Sequence, residues 1–209
     1  MATPSRSEPT AARRRLAPAE RRRELLDAAV AVLRAQGPDR CRVEDITSAA
    51  GTAKGNFYRY FPTWDDLLVA VRDHLRDGYA AEVRRRMADQ AVIDWWAVLE
   101  EESLGFLRFQ LDLGGLHDAV FHGPAARTRP IDDRHSAAAL VADLLRGGMR
   151  EGAFAVVDPE PTASLVFHLL HGAADDIRAG AEFDVVAAAV LEVLRGALRP
   201  FPSDEPARP

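Results

Sequence analysis

The chain has 209 residues, of which 47% are hydrophobic and 28% charged, and its formal net charge at pH 7 is −5. This length can bury a sizeable core, and the composition is typical of a soluble globular protein. No apolar run approaches the roughly 18 residues that cross a bilayer, and the polar N-terminus has no signal-peptide core, so we expect no membrane partner. The single cysteine, Cys41, excludes an intrachain disulfide and fits a cytoplasmic location.

Charge is distributed unevenly along the chain. Residues 1–63 carry 12 Lys+Arg and 7 Asp+Glu, whereas residues 64–209 carry 15 and 25. A basic N-terminal third on an acidic body is typical of a small DNA-binding module attached to a larger domain. We expect residues 1–17 to be disordered, and Arg13–Arg15 to be either a basic arm that touches DNA or a solvated charge run.

The first predicted helix covers residues 18–36. Pro18 suits a first helical position, and Gly37-Pro38 ends the periodic pattern. Its apolar residues recur at helical spacing as Leu25, Leu26, Ala29, Val30 and Leu33.

Residues 43–61 predict two short helices around a tight turn. Gly51, which tolerates the left-handed conformation, ends the first of them. The second runs from about Lys54 to Phe61, with Phe57 and Phe61 facing inward at i and i+4. The first helix has its apolar residues at i, i+3 and i+7: Val43, Ile46 and Ala50.

The polar side chains of the second short helix are left on its outer face. A helix needs such a surface to enter a DNA major groove, with donors for base edges and phosphates and a glycine for close approach. An ordinary helical hairpin with a solvated face has the same local pattern. The predicted DNA-contacting residues are Arg42, Thr52, Lys54, Gly55, Asn56, Tyr58, Arg59 and Tyr60.

The run from about Arg22 to Leu68 resembles the TetR family of bacterial transcriptional regulators. The matching residues are Asp45-Ile46, Ala50-Gly51, Lys54-Gly55, Phe57-Tyr58, Tyr60-Phe61-Pro62 and Asp66-Leu67. The sequence departs from the family pattern at three positions. Arg42 stands at the usual Ser or Thr cap, Ala53 replaces a serine, and Trp64 replaces a phosphate-contacting lysine.

The resemblance implies an all-α fold with an N-terminal three-helix helix-turn-helix DNA-binding domain and a larger C-terminal helical ligand-binding and dimerisation domain. We place the first domain at residues 18–64 and the second at residues 65–209. Thr63–Asp66 predicts a capped start for a long helix over 63–88 that links the two. Further helices are predicted at 92–112, 115–122, 131–149, 159–179 and 184–198.

Large aromatic residues are concentrated in the middle of the chain. They predict either the walls of a ligand cavity or a close-packed core. The resemblance favours a cavity, whose candidate residues are Trp95, Trp96, Phe106, Phe109, Phe121, Phe167, His168 and His171, with Phe154 as a further possible wall.

Histidines and acids share one face of the predicted 159–179 helix. His168, His171 and Asp175 lie at i, i+3 and i+7, and three more histidines could approach: His117, His122 and His135. Such a set could bind a transition metal, pair across a subunit interface or bond a polar ligand. Since no metal signature accompanies it, we expect no metal and no cofactor.

Two apolar stripes near the end of the chain predict a homodimer formed as a four-helix bundle. One comprises Leu165, Leu169, Gly172 and Ala173, and the other Val186, Ala189, Val190, Val193 and Leu194. Together with this dimer, the resemblance implies a repressor released from a palindromic double-stranded DNA operator by a small apolar or aromatic molecule. A metal- or partner-responsive regulator and a helical enzyme with a vestigial motif are the alternatives, although no catalytic constellation is found.

Overall fold

A computed structural model describes residues 17–88, 94–129 and 137–199. The predicted basic arm at Arg13–Arg15 and His135 lie outside the described residues, as do the first residues of the predicted 92–112 and 131–149 helices. Within the described ranges no helix is long and apolar enough to cross a membrane.

The described chain is built from α-helices. The N-terminal helices are α1 (Pro18–Gln36) and two short ones, α2 (Val43–Ala49) and α3 (Lys54–Tyr60), followed by a long helix, α4 (Trp64–Ala88). The body comprises α5 (Trp95–Asp112), α6 (Gly115–His117), α7 (Pro124–Thr128), α8 (Ala137–Arg150), α9 (Pro159–Arg178) and α10 (Phe183–Leu198). The all-α fold with an N-terminal helix-turn-helix is thereby confirmed.

Helix ends follow the local capping chemistry. The Thr63 hydroxyl accepts the Asp66 N–H at 3.1 Å and the Asp66 carboxylate accepts the Thr63 N–H at 3.0 Å, so the predicted cap of α4 is present. Asp158 caps α9 ahead of Pro159. Asp94 caps α5 by accepting the N–H groups of Trp96 and Ala97, which starts that helix later than residue 92.

Two predicted segments differ from the structure in the middle of the chain. The 115–122 helix divides into α6 and a π-helical turn over Asp118–His122. A short helix, α7, follows over Pro124–Thr128, between the predicted 115–122 and 131–149 helices, where no helix was predicted. Pro124 occupies the first turn of α7, where backbone N–H groups have no acceptor within the helix, so the missing N–H of proline costs no hydrogen bond.

One apolar core holds the N-terminal helices together. It contains the stripe of α1, Ile46 of α2, both inward phenylalanines of α3, and Leu67, Leu68 and Val71 of α4. Leu116 of α6 and Val120 of the π-helical turn are also buried in it, 1% and 2% exposed. We call this cluster the head core. Side chains from before and after residue 64 belong to this head core. The predicted domain boundary at residue 64 therefore falls within one core and stays a prediction.

A second core fills the body, between α5, α8, α9 and α10. Its tightest contact is made by two glycines of α8. A Cβ added to Gly147 would lie 2.0 Å from the Trp95 ring, and one added to Gly148 would lie 2.3 Å from Phe154. Trp96 also packs edge-on against Phe154 at 4.9 Å between ring centroids. These aromatic side chains therefore hold α5 close to α8 and its following loop.

We predict that Gly147→Ala lowers the free energy of unfolding by about 1–3 kcal/mol, because the buried Trp95 ring must move to admit a methyl group. Urea denaturation followed by circular dichroism measures the change. Gly78→Ala in α4 is the control, since no atom lies within 4 Å of its added Cβ. That variant should be neutral or up to about 1 kcal/mol more stable. Equal stability of Gly147→Ala and wild type would contradict the packing described.

Candidate functional site

The inner face of α3 anchors it to the head core. Phe57 and Phe61 are 0% and 1% exposed, and their ring centroids lie 5.4 Å apart. The Arg22 guanidinium of α1 lies 5.4 Å from the centre of the Phe61 ring, close enough for a cation–π interaction. Gly51 adopts φ +58° between α2 and α3, the left-handed conformation expected of it. The predicted inward face of α3 is therefore present.

The outer face of α3 presents four exposed residues, Lys54, Gly55, Tyr58 and Arg59. A Cβ added to Gly55 would meet no atom within 4 Å, so the space above this glycine is open to a partner. Tyr60 is half-buried and packs against the head core, which corrects its placement on the outer face. The centroid of the Tyr60 ring lies 6.4 Å from that of the buried Phe61 ring.

Two of the predicted DNA contacts are hydrogen-bonded to each other. The Asn56 side-chain amide donates to the Thr52 hydroxyl at 2.9 Å, and both residues are half-buried. The Thr52 N–H donates to the Thr47 carbonyl at 2.9 Å across the turn. This arrangement fixes the Asn56 side chain at the start of α3, so that it is positioned before any partner arrives.

Lys54 forms an ion pair with Glu44 of α2. Its hydrogen bond lowers the pKa of Glu44, and the carboxylate in turn raises the pKa of Lys54. The sequence analysis missed this partner, because ten residues and a turn separate the two. Lys54 must exchange Glu44 for phosphate if it contacts DNA.

Arg42 lies at the N-terminal end of α2, exposed to solvent. As predicted, its side chain does not cap the helix; its backbone N–H instead donates to the Asp45 carboxylate at 2.8 Å. The N-terminus of a helix attracts phosphate through its free N–H groups and its dipole. The guanidinium of Arg42 adds a full charge at this position.

Cys41 precedes this surface and is 8% exposed. Burial raises the pKa of its thiol to about 11, with the Asp45 carboxylate adding to the effect. The thiolate is the reactive form, and the raised pKa disfavours it at neutral pH, so we interpret Cys41 as part of the head core.

A cavity of about 280 Å³ lies between α4, α5, α8, α9 and the π-helical turn. Six of the eight predicted ligand-binding residues line it: Phe106, Phe109, Phe121, Phe167, His168 and His171. A smaller apolar void of about 40 Å³ shares Tyr79, Phe106 and Phe167 with it. The structure thus brings these aromatic and histidine side chains around one space.

Trp95 and Trp96 are not among the residues that line this cavity, so their assignment is corrected. Trp95 is 7% exposed and packs on Gly147, while Trp96 packs on Phe154. Phe154 belongs to the second core, between α5, α8, α9 and α10, and does not line this cavity either. The i, i+1 pair of tryptophans lies in the first turn of α5, whereas the cavity contacts the part of α5 around Phe106 and Gln110.

Arg76 of α4 lines the cavity and was missed by the sequence analysis. Its side chain is 12% exposed, and its Nη2 atom lies 3.5 Å from the Asp77 carboxylate and 3.7 Å from that of Asp73. Its Nε and Nη1 atoms are buried and have no hydrogen-bond partner. Burying N–H groups without an acceptor costs free energy. An anionic group on a ligand would provide acceptors for Nε and Nη1.

Four side chains from two parts of the chain form a histidine–aspartate cluster: His117, His122, His171 and Asp175. One potential ligand atom from each lies within 4.8 Å of all the others. Burial lowers the pKa of both His117 and His171, which keeps their rings neutral at pH 7. His168, which the sequence pattern grouped with His171 and Asp175, lines the cavity instead.

The outer faces of α9 and α10 form an open apolar groove. Leu165, Val185 and Val193 are 70%, 69% and 53% exposed, which is unusual for apolar side chains of this size. Ala173, Val190 and Leu194, which the sequence analysis placed in the dimer stripes, are at most 7% exposed and belong to the body core. The groove is nevertheless lined by seven of the nine predicted stripe residues: Leu169, Gly172, Ala173, Val186, Ala189, Val190 and Val193.

Comparisons with known proteins agree with this architecture. Residues 25–71 match the family described as bacterial regulatory proteins, tetR family. An uncharacterised helix-turn-helix transcriptional regulator of Bacillus subtilis, YvdT, is 32% identical over 77 residues, which are 37% of this chain and 39% of that protein. The transcriptional repressor LfrR of Mycolicibacterium smegmatis is 34% identical over 109 residues, 52% of this chain and 53% of that protein.

The likeness to a solved structure extends over nearly the whole fold. A TetR-family transcriptional regulator from Pectobacterium atrosepticum superposes with a TM-score of 0.68 at 25% identity, covering 88% of this chain and 98% of that one. By contrast, the chain spans about half or less of the length of YvdT and LfrR. Residues 25–71 thus match the TetR family in sequence, and the described fold as a whole resembles that of a TetR-family regulator.

Proposed function

We propose that this chain is a sequence-specific DNA-binding repressor of transcription that works as a homodimer and is released by a small aromatic acid. The exposed outer face of α3, held from beneath by Phe57 and Phe61, carries the DNA-binding part of the proposal. The match of residues 25–71 to the TetR family supports it, and LfrR is named as a repressor.

The two ends of the recognition surface have different roles in this proposal. Arg42 and Lys54 bind phosphates and set the position of α3, whereas Asn56 and its neighbours read base edges. The bond between Asn56 and Thr52 fixes the amide before binding, so less side-chain freedom is lost on the DNA. The Glu44 carboxylate competes with phosphate for Lys54 and thereby opposes binding to any sequence.

Dimerisation supplies two recognition helices for a two-fold symmetric operator. The groove along α9 and α10 is proposed as the contact, because its exposed apolar residues would be covered by the same face of a second copy. Half-sites in major grooves lie about 34–36 Å apart, so the dimer must hold its two heads at that spacing.

The ligand part of the proposal rests on Arg76. The cavity offers aromatic walls from Tyr79, Phe106 and Phe167 and one buried cation, two of whose nitrogens, Nε and Nη1, have no hydrogen-bond partner. A single-ring aromatic acid fits both the volume of about 280 Å³ and this chemistry. His168 is available for a further hydrogen bond from the opposite wall.

Release follows from where the cavity contacts the helices. Arg76 and Tyr79 belong to α4, whose first turns lie in the head core, and Phe121 packs against the head core while also lining the cavity. A ligand that moves these side chains shifts the head relative to the body. Only a ligand with different affinities for the two positions can do so, and a coupling of about 1–3 kcal/mol changes operator affinity about 5–150-fold.

We predict that Arg42→Ala weakens binding to a selected operator and to random DNA alike and lowers the salt slope by about one. Asn56→Ala should instead relax the preference at one base position, by about 1–3 kcal/mol of discrimination. Fluorescence anisotropy at several salt concentrations measures both effects. Arg195→Ala, which removes a charge from α10, is the control and should leave binding unchanged. If Arg42→Ala and Asn56→Ala bind as wild type does, α3 is not the recognition helix.

We predict that Val193→Asp converts the dimer to a monomer, because a carboxylate would be buried in the apolar contact. Light scattering at micromolar concentration measures the mass. The matched control is Val157→Asp, since Val157 is fully exposed outside α9 and α10. Ala173, although part of the predicted stripe, is unsuitable because it is buried within the subunit. A wild-type protein that is monomeric yet binds a palindrome tightly would contradict the proposed assembly.

We predict that aromatic acids such as benzoate and phenylacetate raise the melting temperature and release the operator, while benzamide and phenylacetamide do neither. The reason is that only the acids supply an anion to Arg76. Arg76→Gln should abolish the response, and Arg84→Gln, an exposed arginine on the same helix, should retain it. Equal responses to acids and amides, or an unchanged response in Arg76→Gln, would show that Arg76 does not select the ligand.

A further inference from the structure

The histidine–aspartate cluster joins two segments that are far apart in the sequence. His117 ends α6 and His122 ends the π-helical turn, while His171 and Asp175 lie one turn apart on α9. The three imidazole rings form a triangle with centroid separations of 5.0, 5.5 and 5.4 Å. The His122 Nε2 atom lies 3.8 Å from the Asp175 carboxylate.

The π-helical turn is what brings His117 and His122 together. In an α-helix two residues five apart point about 140° away from each other, since each residue turns the helix by about 100°. The wider turn, with hydrogen bonds from i to i+5, brings such residues to one side. Both rings therefore face α9. Single π turns of this kind are common at functional sites.

One nitrogen of the cluster is buried and has no partner. His117 is 0% exposed, and its Nδ1 atom contacts the Asp118 carboxylate at 3.4 Å, whereas its Nε2 atom has no hydrogen-bond partner in the described structure. The His171 Nδ1 atom similarly contacts the Gln110 amide at 3.1 Å, which leaves its Nε2 atom. Histidines that bind metal ions are held in this way by a polar group on the other ring nitrogen.

We propose that His117, His122, His171 and Asp175 bind a divalent transition-metal ion, and that Zn²⁺ fits them best. Three imidazoles and one carboxylate are ligands that Zn²⁺ prefers, and four is its usual coordination number. The site departs from the expectation of no metal, which rested on the absence of a metal-binding signature in the sequence.

The distances allow the four ligands to close around an ion. Zn–N and Zn–O bonds of about 2.0–2.1 Å in a tetrahedron put ligand atoms about 3.4 Å apart. The largest separation here is 4.8 Å, so the atoms must approach by up to about 1.4 Å. The side chains of His122 and Asp175 are 44% and 45% exposed, so they have room to move towards an ion. Their exposure also means that an ion can reach the site from solvent. The nearby Arg178 is neutralised by Asp118, at 2.8 Å.

Such an ion would connect α9 to the segment that is buried in the head core. Leu116 and Val120 alternate along that segment with the two histidines, so each apolar contact with the head lies close to a proposed ligand. Metal binding is therefore expected to stabilise the fold. A ligand at about 100 times its dissociation constant should raise the melting temperature by about 5–10 °C.

The test is Zn²⁺ titration of chelator-treated protein by calorimetry, with Co²⁺ absorption as the second measurement. We expect one ion per chain, the intense visible bands of four-coordinate cobalt and the rise in melting temperature. His122→Ala and Asp175→Asn, both at exposed positions, should weaken binding at least about tenfold. His74→Ala and Asp176→Asn are the matched controls outside the cluster and should bind as wild type does.

Absence of stoichiometric Zn²⁺ binding in the folded wild-type protein would overturn the site. So would binding that His122→Ala and Asp175→Asn leave unchanged, since the ion would then be elsewhere. Six-coordinate cobalt spectra with weak bands would overturn the proposed four-ligand set. Because no DNA enters these measurements, their outcome is independent of the proposed operator binding and its failure.

Discussion

The burial of Leu116 and Val120 in the head core is the contact on which the rest of the structure depends. Both side chains come from the body segment between α5 and α7, and both are almost completely buried among residues of α1 and α4. Burying an aliphatic side chain of this size contributes about 1.5–3 kcal/mol. The head is therefore held by two connections, the continuous helix α4 and this segment, rather than by α4 alone.

The opposite side of the same segment is tied to α9. Arg178 donates to the Gly114 carbonyl at 3.0 Å and to the Asp118 carboxylate at 2.8 Å, so it bonds both ends of α6. A second set of polar contacts links α4 to the end of α7, where the buried Arg72 donates to the Arg129 carbonyl at 2.8 Å. Residues 114–129 are thus a short bridge whose faces contact the head, the cavity and α9. A displacement of this bridge at the head, at the cavity or at α9 would therefore also move the side chains that contact the other two.

The sequence predicted the helix-turn-helix well because its information is local. The i, i+4 pair Phe57 and Phe61, the turn at Gly51 and the cap at Thr63 each depend on neighbours within a few residues, and each is found in the structure. Helical periodicity also located α9 and α10 to within one residue at each end. The short helix α7 was missed because a proline that ends one helical pattern also suits the first turn of the next helix.

Residues of the body could be predicted as a group but not individually. Periodicity placed the tryptophans and phenylalanines on inward faces, yet which of them line a cavity depends on the neighbouring helix. Because Gly147 and Gly148 have no side chains, the Trp95 and Phe154 rings can pack directly on α8. The spacing of apolar residues within α5 does not indicate this contact. Arg76 was missed for the same reason, because its position in α4 looks in sequence like that of a solvent-exposed arginine. The ion pair between Lys54 and Glu44 likewise depends on how two helices pack.

The ion pair between Lys54 and Glu44 has a consequence for chemical modification. Every other basic side chain in the sequence is an arginine or a histidine, so a reagent or enzyme that acylates lysine has a single side-chain target, on the outer face of α3. Acylation would remove the positive charge and leave the Glu44 carboxylate unbalanced beside it. One covalent event would thus turn a locally neutral part of the recognition surface into a negative one, where a polyanion is repelled.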